Sequence, residues 1–163
     1  MPDRSVAHGS FTVEREYPVP PERVWAAHAS AQAKQEWFAM PDHEFIGATE
    51  EFALDFREGG TERLVSRLHD GRKMVLETRF WDVVPNERFV ATYDCVVGDR
   101  RLSVSLYSVQ LIPTDKGTKL ITVEDGAFLD GLDSADGRIQ GVTYDLDNLG
   151  TYLERSEALV AAR

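Results

Sequence analysis

The 163-residue chain carries 18 basic and 28 acidic side chains, a net charge of −10, with 42% apolar and 28% charged residues. That profile excludes a disordered chain and repels phosphate backbones and acidic lipid surfaces, so nucleic acid is not an expected partner. No run approaches the ~20 apolar residues of a membrane-spanning helix, "MPDRSVAHGS" lacks the apolar core of a secretory signal, and the single Cys95 permits no internal disulfide, so a cytoplasmic location without membrane insertion is expected.

The first element is "FTVEREY" (11–17), in which Phe11, Val13, Arg15 and Tyr17 alternate with Thr12, Glu14 and Glu16, the period of a strand. A proline cluster ends it, and Pro21 suits the first position of a helix carrying Val24, Trp25 and His28 at helical spacing. "SAQAKQEWFAM" continues as a second short helix, capped by Ser30, stopped by Pro41 and ending in Trp37 and Phe38. From Glu44 to Phe128 the period is two, punctuated by "REGG", "DGR", "PNE", "GDR" and "PTDKG". Short Gly-, Asn- and Asp-bearing connections join neighbouring strands antiparallel, so this stretch is a meander. The Gly59-Gly60 pair and Gly71 are turn punctuation around one strand. The last element is a helix over 138–155, with Ile139, Val142, Leu146, Leu149 and Leu153 as its apolar stripe. Asp136 is its expected cap, and Asp145, Asp147, Asn148 and Glu154 fall away from the stripe. A curved antiparallel sheet covered by the final helix, an α+β fold, buries both apolar faces.

The order and spacing of short motifs resemble the START-like, or SRPBCC, superfamily of the helix-grip fold, which includes the birch-pollen-allergen-like proteins. Within it the chain is most similar to the homology family of activators of the heat-shock-protein ATPase and their polyketide-cyclase-like relatives. The matching residues are Pro20, Glu22, Val24 and Trp25 in "PPERVWAAHA", then Trp37 and Phe38, and "F-R-x-G-G" at Phe56, Arg57, Gly59 and Gly60. Asp70 and Gly71 supply a "D-G" turn; Val83, Pro85, Glu87 and Arg88 supply "V-x-P-x-E-R"; and Gly117, Thr118 and Leu120 supply "G-T-x-L". Gly141, Leu146, Leu149 and Leu153 carry the pattern of the last helix. The resemblance covers residues 11–155 and implies one ligand-binding domain over 1–163. It also implies a cavity between sheet and final helix. Three positions depart from the family pattern. Val142 replaces a usual tryptophan, Arg138 a common histidine, and Glu62 a frequent aromatic.

In "TERLVSRLH", Glu62, Leu64, Ser66 and Leu68 share one strand face, and Arg63, Val65 and Arg67 the other. The leucine face is the candidate interior. In "TKLITVED", Leu120, Thr122 and Glu124 face inward by the family pattern, although the opposite registry, with Ile121 and Val123 inside, is also open. Glu62 and Glu124 therefore either border one cavity, as candidate acid/base groups, or sit half-hydrated at strand ends. If Glu62 is buried, it either stands without an arginine and has a raised pKa, or pairs with one and is structural. The other candidate wall residues are Trp37, Phe38, Leu64, Ser66, Phe80, Tyr93, Tyr107, Val142 and Leu146. Phe45 and Phe52 join the aromatics that either edge a pocket mouth or pack the core.

The seven carboxylates between Glu124 and Asp147, opposed only by Arg138, read as a solvated face. His8, His28, His43 and His69 show no zinc spacing, and Asp130, Asp133 and Asp136 lack calcium-loop spacing, so neither metal nor organic cofactor is expected. Cys95 reads as an inert packed thiol. The leading functional expectation is binding of a small hydrophobic molecule that is lipid-, polyketide- or aromatic-like. The alternatives are a cyclase-, dehydratase- or hydrolase-type enzyme using a cavity carboxylate, and a co-chaperone acting on a heat-shock-protein ATPase. A homodimer and a chaperone partner are both compatible with the sequence, and nothing in it singles out either.

Overall fold

The computed structural model describes residues 4–161. Its elements run β1 (Val6–Tyr17), α1 (Pro21–Ala29), α2 (Ala31–Trp37), β2 (Ala48–Leu54), β3 (Thr61–Arg67), β4 (Lys73–Val84), β5 (Arg88–Val97), β6 (Arg100–Thr114), β7 (Gly117–Leu129) and α3 (Ala135–Ala161). The seven strands form one antiparallel sheet in the order β1-β7-β6-β5-β4-β3-β2. This is the α+β helix-grip architecture: a meander whose last strand returns beside the first, with the long final helix against its concave face.

Local chemistry sets the element ends. Pro21 opens α1, where its missing N–H costs no helical hydrogen bond. Ser30 caps α2 by accepting from the Ala33 amide at 3.1 Å. That helix ends at Trp37, before Pro41, because Phe38 leaves helical geometry and the Phe38 and Ala39 amides both turn back to the Lys34 carbonyl. The last helix starts three residues earlier than its apolar stripe indicates. Ser134, rather than Asp136, is its cap, accepting from the Gly137 amide at 3.1 Å. Asp136 lies inside the first turn, where a carboxylate favours the helix dipole.

The turn before β3 explains its two glycines. Gly59 has φ of +78°, and a Cβ on Gly60 would stand 2.0 Å from the Asp55 carbonyl oxygen. The freed backbone pairs onward with β4: the Gly59 amide donates to the Phe80 carbonyl and the Phe80 amide to the Gly60 carbonyl.

Two apolar clusters fill the space under the sheet. The larger joins Trp25, Phe80, Phe89, Leu111, Leu120, Leu149 and Leu153, with Phe56 packed edge-on against the rings of Trp25, Phe80 and Phe89. The smaller holds Ala39, Leu64, Met74, Cys95 and Val97. A cavity opens between them, with Phe89 and Leu146 from one cluster and Met74, Cys95 and Val97 from the other in its wall.

A cavity lined by two buried ion pairs

The cavity has a volume of about 350 Å³. On the helix side its wall is Gly137, Arg138, Gly141, Val142, Asp145 and Leu146, adjacent pairs recurring every four residues and hence one face of α3. Val142 and the bare Gly141 leave room here, since a Cβ on Gly141 would meet nothing within 4 Å. The opposite wall comes from alternate residues of the central strands, among them Tyr93, Cys95, Tyr107 and Glu124.

Eight of the expected wall residues meet here: Trp37, Phe38, Glu62, Tyr93, Tyr107, Glu124, Val142 and Leu146. Phe45, at the edge, joins them, whereas Phe52 does not. Leu64, Ser66 and Phe80 stand on the expected inner face but outside the cavity. Leu64 packs in the smaller cluster, Phe80 is enclosed by the rings of Phe56 and Phe89, and the fully buried Ser66 hydroxyl has no partner among the described residues.

Both candidate carboxylates are deep inside. Glu62 is 5% exposed and Glu124 is 4% exposed, so neither is a half-hydrated strand end. The partner of Glu62 is neither absent nor an arginine. The Lys34 ammonium donates to its Oε1 at 2.5 Å while lying 5.1 Å from the centre of the Phe38 ring and 5.7 Å from that of Trp37. The aromatic faces and the carboxylate together make it possible to bury a lysine. The second oxygen of Glu62 has no hydrogen-bond partner among the described residues.

Glu124 lies in a fuller network. Tyr93 donates to both its oxygens at 3.0 and 2.8 Å, Ser105 donates at 2.8 Å, and the Arg138 guanidinium approaches at 3.2 Å. Arg138 also donates to the Tyr93 hydroxyl at 2.6 Å, to Ser103 at 2.7 Å and to Asp133 at 2.8 Å. These donors occupy both oxygens of the Glu124 carboxylate. Burial pushes the Tyr93 phenol well above its ordinary pKa, with Glu124 adding to the rise and Arg138 opposing it.

A third polar contact ties α3 to the loop after α2. The Nδ1 of His43 accepts from the Phe45 and Ile46 amides, so its proton sits on Nε2 and is donated to Asp145 at 2.6 Å. Asp145 thus turns inward, contrary to the expectation that it lies away from the stripe; burial raises its pKa and the His43 hydrogen bond opposes that rise. With Glu124 and Asp133 also engaged internally, the acidic stretch 124–147 is not simply a solvated face. Burial likewise lifts the Cys95 thiol to about 11, which keeps it protonated. Among the described residues, no three His, Cys, Asp or Glu side chains gather as a metal set. No described helix is long and apolar enough to cross a membrane.

Sequence reasoning missed Lys34, His43 and the role of Asp145. The usable signal was slight: Lys34 precedes Trp37 by three residues and Phe38 by four, one helical face. Arg138 had a clearer mark, as a departure from the family pattern.

Comparison with known proteins supports the architecture. A structure from Rhizobium leguminosarum superimposes with a TM-score of 0.88 at 37% identity, covering 94% of this chain and 99% of that one. The Mll3558 protein of Rhizobium loti gives 0.83 at 38% identity, covering 91% and 99%. The SA2116 protein of Staphylococcus aureus, at 18% identity, shares the fold with a TM-score of 0.73 over 94% and 98% of the two chains. No curated protein matches the sequence. The family described as activator of Hsp90 ATPase homolog 1-like protein matches residues 18–154, and this chain belongs to that family.

Proposed function

We propose that the protein binds a small, mainly apolar molecule in the cavity between the sheet and the N-terminal half of α3. The observation that carries this reading is the cavity itself. Its volume of about 350 Å³ falls in the range of small-molecule sites, toward the small end. Apolar and aromatic side chains dominate its wall, and a few buried polar groups are fixed by partners of their own. Such fixed groups orient a ligand without needing to reorganise when it arrives. The size fits a compact aromatic or short polyketide-like molecule better than a long lipid. A co-chaperone role, to which the family name refers, would need an exposed docking face, and the cavity lends it no support.

The test is titration with N-phenyl-1-naphthylamine, a neutral dye that fluoresces in apolar surroundings. One-to-one saturation is expected. Val142→Trp, which places an indole in the space beside Gly141, should weaken the dye by at least about tenfold, roughly 1.4 kcal/mol, while the melting temperature holds. Unchanged dye affinity in a folded Val142→Trp protein would place the dye elsewhere.

A further inference from the structure

We infer that the cavity selects neutral apolar molecules bearing a hydroxyl group, held between the Tyr107 hydroxyl and Nε2 of His28, and discriminates against apolar carboxylates. This rests on the binding reading above and names the ligand class.

Most charged groups in the wall are already paired with one another. Each buried cation has its carboxylate: Lys34 holds Glu62, and Arg138 holds Glu124 and Asp133. Arg72, at the margin, is exposed and pairs with Asp70. An anionic ligand would therefore find no uncommitted buried cation, and it would face Glu62, Glu124, Asp133 and Asp145. Burying an unpaired charge is costly.

Besides the second oxygen of Glu62, two uncharged wall residues, His28 and Tyr107, keep unspent hydrogen-bonding capacity. The ring of His28, 4% exposed, approaches the Val24 carbonyl through Nδ1 at 3.0 Å, so Nδ1 carries the proton and Nε2 keeps a lone pair without a partner among the described residues. Burial, with Lys34 nearby, lowers the His28 pKa to about 4, so that lone pair is available at neutral pH. The Tyr107 hydroxyl also has no partner among the described residues. Burial, reinforced by Glu62, Tyr93 and Glu124, raises its pKa well above the ordinary value and leaves it a donor.

The two residues flank one aromatic wall. The Phe89 ring centre lies 5.6 Å from that of His28 and 5.8 Å from that of Tyr107. Both rings therefore adjoin Phe89 in the same cavity wall, an acceptor and a donor beside one apolar surface. A hydroxyl can donate to Nε2 and accept from Tyr107, and the free oxygen of Glu62 offers a second acceptor. A hydrocarbon uses neither group, and a carboxylate cannot donate.

The experiment is calorimetric titration of the intact protein with naphthalene, 2-naphthol and 2-naphthoate, three probes sharing one ring system. The expected order is 2-naphthol tightest, by about tenfold over naphthalene for one or two net hydrogen bonds, with 2-naphthoate weakest. Tyr107→Phe and His28→Phe should each bring the ratio of naphthol to naphthalene affinity most of the way back towards one, the ratio being the readout whatever either substitution does to naphthalene itself. If His28→Phe fails to fold, Tyr107→Phe and the probe series on the unaltered protein still decide the matter. Naphthalene binding with no gain from the hydroxyl, or 2-naphthoate binding best, would overturn the hydroxyl inference and leave the cavity reading standing. Failure of all three probes to bind would overturn both.

Discussion

The two halves of α3 meet different interiors. From Leu149 to Leu153 the helix adds fully buried leucines to the apolar cluster that holds Tyr17, Trp25 and Leu120. From Gly137 to Leu146 the same helix faces open space, an arginine network and the Asp145–His43 contact. The first half-helix holds the fold together, and the second gives up packing to keep a chemically specific space. The difference is written in side-chain size: Leu149 and Leu153 are fully buried, whereas Gly141 and Val142 leave space beside them.

The sharpest way to break this contrast is to uncouple a buried ion pair. Lys34→Met strands Glu62 in the interior and should cost about 3–5 kcal/mol in urea denaturation, with Lys34→Met/Glu62→Leu recovering most of it. A single-variant cost below about 1 kcal/mol would mean that water screens the pair as at a surface. At the dry end, Leu149→Ala should cost about 2–5 kcal/mol by the same assay, the usual result of a cavity in a packed core.

Acid should act on the cavity side through His28. Its pKa falls from 6.5 free to about 4 when buried. Between those values the unfolded chain binds a proton that the folded chain refuses. Stability therefore declines as pH drops from 6.5 towards 4, by roughly 3 kcal/mol in total. His28→Phe should remove this component from the melting-temperature profile. Asp145 contributes with the opposite sign, because burial raises its pKa and protonation relieves the strain; the difference between variant and parent profiles isolates His28. An identical slope in both proteins would mean that His28 is hydrated. The smallest effect belongs to Gly141→Ala, whose methyl enters open space. It should stabilise the protein by about 0.5–1 kcal/mol through helix propensity alone, again by denaturation.

The sequence carried the fold well because strand period, turn chemistry and the leucine stripe all point the same way. It carried the cavity only in part. Alternation placed Glu62, Leu64 and Ser66 on one face, and that face is interior. Alternation does not say what covers each position. Leu64 is covered by the side chains around Ala39 and Met74, while Glu62, two residues away, meets Lys34 and open space. Lys34 was hidden because "AQAKQEW" is too short to show a period and a lysine ordinarily belongs to solvent. Asp145 was misplaced because the leucine stripe defines one buried face, and α3 turns a second, adjacent face to the cavity.

The most direct test of the central claim is where an apolar probe sits. With naphthalene added, intermolecular nuclear Overhauser contacts are expected to the methyl groups of Val109, Val142 and Leu146, which line the cavity. Contacts instead to Val104 and Leu106, the exposed apolar side chains of β6, would contradict the account.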